Sequence, residues 1–263
     1  MEATRIAKET EEQAPLVSVR FLIILTAAVT ALALLSLAIS LLGDRIGERW
    51  SLAGHSASAE PVDVSIGLDR LHVPANAIRF EDQRRSGRSE RLDLFVLWPE
   101  MTGYSKGNRR RFDDLAHAKS LIFLQLSQST MSRDMSGRVD PIYSHLFTGT
   151  PESGPFGLSL HRFRAGTGYD REVLLTAPRP GQADYAVRCL LPGPGDLPSN
   201  SDCQRDIHAG RDLTVLYRFS SELLSDWQQI DKAIEAYIRD RVISGSTSPN
   251  PPMRSNTATN DSL

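Results

Sequence analysis

No stretch of this chain spells out a catalytic centre. A G-x-S-x-G elbow and an S-x-x-K pair are both missing, which removes two linear signatures of a serine nucleophile. Only four lysines are present to serve such a motif. The phosphate loop G-x-x-x-x-G-K-[ST] and the fingerprint G-x-G-x-x-G are absent too, so no nucleotide or other cofactor is expected. Gly166-Thr167-Gly168 offers only a G-x-G, better explained as a turn. The six histidines, His55, His72, His117, His145, His161 and His208, stand singly, without the i, i+4 spacing that puts two metal ligands on one helix face. Adjacent acids such as Glu81-Asp82 and Asp113-Asp114 read as solvated, because acid–base pairs need a separation in space that sequence neighbours do not establish. A formal net charge of −2 lacks the basic surplus on which nucleic-acid binding rests.

What the chain does have is one long apolar run. Phe21 to Leu42 contains no charged side chain, enough helix to cross a hydrocarbon core of about 30 Å. No ionisable residue lies inside it, so it carries no sign of a proton or ion pathway. Thr26 and Thr30, Ala27 and Ala31, and Ser36 and Ser40 stand four apart, but without a G-x-x-x-G a plain anchor is expected. Arg5, Lys8 and Arg20 precede the run and Arg45 and Arg49 follow it, a bias that puts the N-terminus in the cytoplasm. Ala57-Ser58-Ala59 has the form of a signal-peptide cleavage site, yet it lies far behind a run that is too long for a signal peptide.

The only two cysteines, Cys189 and Cys203, both follow the anchor, with a Pro-, Gly-, Ser- and Asp-rich segment between them. In an exported domain such a pair is expected to form a disulfide that staples the loop at its two ends. Closing a loop of this length is worth roughly 3 kcal/mol on the chain-entropy model. Two unrelated thiols are the bland alternative. A zinc site with His208 lacks both C-x-x-C spacing and a fourth ligand.

The organisation that follows is a cytoplasmic segment at 1–20, a transmembrane helix at 21–42, a stalk at 43–60, a periplasmic domain at 61–243 and a disordered tail at 244–263. The tail is Ser, Thr, Asn and Pro with little to bury. Strands are expected at 90–98, 120–127, 156–163, 171–176, 183–191 and 213–219, with weaker candidates at 62–66 and 71–73, the latter ended by Pro74. Glu90 to Trp98 is apolar on both faces of its second half, as in a central strand. From Glu222 to Val242 the period changes: Leu223, Leu224, Trp227, Ile230, Ile234, Tyr237 and Ile238 fall on one helical stripe, which Ser220 or Ser221 can cap. Strands followed by a terminal helix predict an α+β fold, a mainly antiparallel sheet with the amphipathic helix packed on it.

Arginine supplies most of the positive charge and clusters twice, at Arg84, Arg85, Arg88 and Arg91 and at Arg109, Arg110 and Arg111. Guanidinium groups suit phosphate or carboxylate, so Arg84, Arg85, Arg109, Arg110 and Arg111 are candidates for a surface that meets an anionic partner. Their acidic neighbours support the plainer reading, solvated loop charges. The run LHVPANAIRFEDQRRSGRSERLDLFVLWPEMTGY, Leu71 to Tyr104, resembles uncharacterised single-pass membrane-anchored proteins of alphaproteobacterial genomes. That resemblance implies an inner-membrane protein with a periplasmic domain and transfers no activity. The function expected is a tethered binding or scaffolding module whose partner is a cell-envelope protein or polymer. A membrane-anchored envelope hydrolase is the alternative, since catalytic groups can be assembled by geometry alone.

Overall fold

The computed structural model describes residues 18–51, 54–114, 118–193, 198–199 and 201–243, and it divides into a unit that ends at Ala53 and a domain that begins at Gly54. The expected tail at 244–263, and the N-terminal segment up to residue 17, lie outside the described residues. In the first unit a helix, α1, runs from Val19 to Ser51, and its Val19–Leu37 stretch is long and apolar enough to cross a membrane. The hydroxyls of Thr26 and Thr30 donate to the carbonyls of Leu22 and Thr26, so neither brings an unsatisfied donor into the apolar stretch. The residues read as a stalk divide between the two units: α1 continues to Ser51, and Gly54 to Glu60 belong to the domain.

The domain contains two sheets. The smaller joins β1 (Pro61–Ile66), β2 (Asp69–Pro74), β3 (Gly87–Arg88) and β12 (Val242–Ile243) in the order β12-β2-β1-β3. The larger is antiparallel throughout. It holds β4 (Arg91–Leu97), β5 (Leu121–Gln128), β6 (Phe147–Ser153), β7 (Ser159–Phe163), β8 (Val173–Ala177), β9 (Tyr185–Cys189), β10 (Cys203–Ala209) and β11 (Leu213–Phe219), in the order β4-β5-β11-β10-β9-β8-β7-β6. With a short helix, α2 (Arg109–Asp113), and the C-terminal helix α3 (Trp227–Arg239) this is the expected α+β fold.

Side-chain alternation builds the core. Val62, Val64 and Ile66 of β1, Leu71 and Val73 of β2, Leu92, Leu94 and Val96 of β4, and Val215, Tyr217 and Phe219 of β11 are buried in one cluster with Leu224, Trp227, Ile230 and Ile234. At one end two turns hold each other. The Asp69 carboxylate accepts the N–H groups of Arg211 and Asp212, and the Asp212 carboxylate accepts that of Leu68. Gly67 has φ +54 there, and a Cβ would stand 2.7 Å from Asp212 Oδ2, so only glycine fits.

Several elements depart from the sequence reading. β4 is an edge strand rather than a central one. It is covered on both faces all the same, because Phe95 packs against His55 and Phe112, which Tyr104 covers in turn. The C-terminal helix begins as a 3-10 turn at Ser221–Asp226, with Ser220 Oγ accepting the Glu222 N–H, and its α-helical part ends at Arg239, so that Val242 pairs with Leu71 as β12. Four strands lie outside the expected set: the two-residue β3 and β12, and the longer β6 and β10. β6 is an exposed edge with no alternation to read, whereas β10 alternates, but with Arg205 at the centre of its buried face.

The disulfide is present: Cys189 and Cys203 lie directly opposite each other on β9 and β10, with S–S 2.07 Å. These strands pair through only two residues each, Cys203 with Cys189 and Gln204 with Arg188. Beyond Gln204 β9 departs, and the loop before β6 takes over, the Met135 N–H meeting the Asp206 carbonyl at 3.4 Å and Arg138 pairing with the Asp206 carboxylate.

Candidate functional site

The gap between β9 and β10 is filled by charge. Arg205 points from β10 into the core with 1% of its surface exposed. Its Nη1 donates to the Ala186 carbonyl, which β9 no longer presents to a strand, at 2.9 Å and to Ser136 Oγ at 2.8 Å. Its Nε donates to Asp231 Oδ1 at 2.9 Å, and the guanidinium lies over the Tyr185 ring at 4.8 Å. Asp231 stands one turn after Trp227 on the buried stripe of α3, and its Oδ1 also accepts the Tyr217 hydroxyl at 2.7 Å. A second arginine, Arg179 from the loop after β8, reaches Oδ2 at 2.9 Å. Desolvation opposes the Arg205 charge, but the nearby phenol oxygens and the Asp231 carboxylate outweigh it and raise its pKa. Burial pushes the Tyr185 and Tyr217 phenols well above their ordinary range, so both stay neutral.

This network opens on a cleft of about 350 Å³ between the loop after β8 and the first turns of α3. Pro178, Pro180 and Trp227 form apolar walls, Arg179 and Asp231 line its inner side, and Lys232 and Glu235 are exposed lining charges.

On the other face of the large sheet a strip is left half-covered. Phe95 is sealed beneath His55 and Phe112 at one end, and Leu174 and Ala186 pack with Met135, Tyr143 and Phe163 at the other. Between them Phe123, Gln125 and Leu216 remain partly exposed. The Arg79 guanidinium lies 4.9 Å from the Phe123 ring centre, and Arg218 is exposed beside it, opposite Phe123 in the strand register. Neither arginine has a carboxylate partner among the described residues.

The two sequence-identified arginine clusters converge, but mostly as internal clamps. Arg84 donates to the carbonyls of Ile78, Arg79 and Gly54, and burial lowers its pKa against the support of Glu81 and Asp82. Arg109 Nε holds Asp113, whose other oxygen lies 2.9 Å from His55 Nε2. The His55 ring stacks between Tyr104 and Phe95, at 4.8 and 5.2 Å. Both clusters therefore grip Gly54 and His55, where the chain enters the domain. Arg111 binds both oxygens of Glu100 and the Trp98 carbonyl, and these hydrogen bonds hold the Glu100 carboxyl below its usual range. Arg85 and Arg110 are exposed. No group of three or more metal-ligating side chains occurs among the described residues.

Sequence reading had not singled out Arg205, Asp231, Arg179, Arg79 or Arg218. Two of them had a signal: Asp231 is a charge inside an apolar helical stripe, and Arg205 a charge inside a strand alternation.

No protein-family model matches the chain, and no curated protein matches it. Among solved structures, Smlt3025, an immunity protein of the Stenotrophomonas maltophilia type IV secretion system, matches 72% of this chain and 96% of its own, with a TM-score of 0.50 at 16% identity. The Neisseria meningitidis iron-regulated outer membrane lipoprotein FrpD matches 70% of this chain and 95% of its own, with a TM-score of 0.41 at 10% identity. The likeness to Smlt3025 is one of fold.

Proposed function

We propose that this protein is a non-catalytic binding module tethered by α1 to the bacterial inner membrane, with its domain in the periplasm, where the half-covered strip holds an acidic surface of an envelope protein. The observation that carries the reading is the Cys189–Cys203 bridge in the domain that follows the apolar helix, since disulfides persist in oxidising compartments and are rare in the cytosol. The strip supplies the chemistry. Two exposed guanidinium groups, without carboxylate partners among the described residues, flank a partly exposed phenyl ring and Leu216, the combination of aromatic and arginine that dominates protein-binding patches. The fold shared with a secretion-system immunity protein supports a role in the envelope, and the resemblance of Leu71–Tyr104 to alphaproteobacterial anchored proteins supports the inner membrane.

The test combines topology with contact. A phosphatase fused at the C-terminus should be active in a bacterial periplasm, and Cys189 and Cys203 should resist alkylation until reduced. A photo-crosslinker at Phe123 or Leu216 should then yield a protein adduct that is lost in the Arg79→Glu/Arg218→Glu variant. A crosslinker at Gln229, exposed on α3, should yield none. A silent phosphatase would refute the placement; identical adducts at all three positions would refute the strip.

A further inference from the structure

The cleft beside α3 contains a charge imbalance that the protein does not resolve. Two arginines, Arg205 and Arg179, share one carboxylate, Asp231, whose side chain is 6% exposed. The phenols around them are neutral, so the buried cluster carries one uncompensated positive charge. Such a charge is costly in a low-dielectric site unless an anion meets it. The surplus is open to the cleft at Arg179. Its Nε is held by the Ala183 carbonyl at 2.9 Å and its Nη1 by Asp231, which leaves N–H groups on both Nη nitrogens without a protein acceptor among the described residues. A guanidinium fixed from behind in this way is set to bind, because its fork is already oriented and little rotamer freedom remains to be lost.

We propose that this cleft binds the carboxylate of a small ligand, held by the free N–H groups of Arg179 with Lys232 as the second cation and its apolar body between Pro178, Pro180 and Trp227. Size fits the class: about 350 Å³ lies at the lower end of the range for ligand pockets, room for a ligand of about one or two amino acids. Charge selects a monoanion. One surplus positive charge is balanced by one carboxylate, whereas the second charge of a phosphate would face Asp231 and Glu235. Geometry agrees, since a planar carboxylate accepts two parallel N–H bonds from a guanidinium. The site is independent of the outer strip, which lies on the opposite face of the large sheet.

The experiment is calorimetric titration of the full chain in detergent micelles with four probes: N-acetyl-alanyl-alanine as the free acid, the same dipeptide as its amide, sodium propionate and inorganic phosphate. The free acid should bind, the amide at least tenfold more weakly, and phosphate more weakly than the acid. Propionate binding as well as the dipeptide acid would assign the site to small free carboxylates; weaker propionate binding would assign it to peptide C-termini. Arg179→Gln should lose tenfold or more of the acid's affinity, and it leaves Asp231 and Arg205 as a balanced pair. Should that variant not fold, exposed Lys232→Gln, which should weaken binding several-fold, and the acid-to-amide ratio of the unaltered protein still decide. Equal binding of acid and amide, tighter binding of phosphate, no binding of the acid, or unchanged affinity in Arg179→Gln would each overturn the proposal.

Discussion

Replacing Asp231 with alanine tests whether the charge cluster is what closes the gap between β9 and β10. The change leaves Arg205, at 1% exposure, with no counter-charge, and the Tyr217 hydroxyl with no acceptor. Removing one partner of a buried ion pair costs about 3–5 kcal/mol. Water entering from the cleft can solvate Arg179, which is 20% exposed, but not Arg205, so the loss should stay in that range. For a domain of this size each kcal/mol is worth about 2–4 °C in Tm, which gives a fall of roughly 6–20 °C. The measurement is thermal and urea unfolding of the full chain in micelles, followed by circular dichroism. A second variant, Arg205→Met with Asp231→Leu, removes both central charges and should be more stable than Asp231→Ala by at least about 1 kcal/mol, because interacting neighbours are not additive. A loss below about 1 kcal/mol for Asp231→Ala, or simple additivity in the double variant, would refute the idea that this pair organises the core.

The tyrosines give a pH prediction with a definite sign. Burial raises Tyr185, Tyr217, Tyr143 and Tyr237 above the ordinary phenol value, so above about pH 10 the unfolded chain releases protons that the folded domain retains. Stability should therefore be unaffected by these groups below about pH 10 and fall as pH rises from there toward their raised values. The phenolate absorbance of these four should appear together with unfolding; ionisation of all six tyrosines of the chain in a still-folded domain would contradict this. Arg84→Ala, which strands the carbonyls of Ile78, Arg79 and Gly54, should lose about 1–3 kcal/mol. Arg85→Ala and Arg110→Ala should stay within about 0.5 kcal/mol, and equal losses at all three would show that the clamp assignment is wrong.

Where burial and hydrophobicity agree, the elements are legible in the sequence. Leu213–Phe219 was read to the residue, because Leu213, Val215, Tyr217 and Phe219 alternate without interruption. The cysteine bridge followed from the pair and the loop between them. The site was not legible, and for one reason. Arg205 and Asp231 are charged residues doing the work of buried ones, twenty-six residues apart, and only the fold sets them 2.9 Å from each other. The arginines that sequence did draw out stood together for a different purpose: Arg84 and Arg109 hold the point where the chain enters the domain, and density of charge in sequence does not tell a clamp from a docking face. β6 shows the converse limit, since an edge hairpin exposed along nearly all its length leaves no pattern of burial to detect.

The narrow join between β9 and β10 has a mechanical meaning. Every other neighbouring pair in the large sheet is laced through at least four residues on each strand, while this one has two, supplemented by the Leu190 N–H on the Asp202 carbonyl and the Arg205 side chain on the Ala186 carbonyl. The sheet is thus two four-stranded panels meeting at a hinge line, and the cysteine bridge is the rivet in it. Because one buried cluster draws residues from both panels, Val187 and Leu175 with Val215 and Leu124, reduction should loosen the join rather than release a panel, and hydrogen exchange should rise first at β9 and β10.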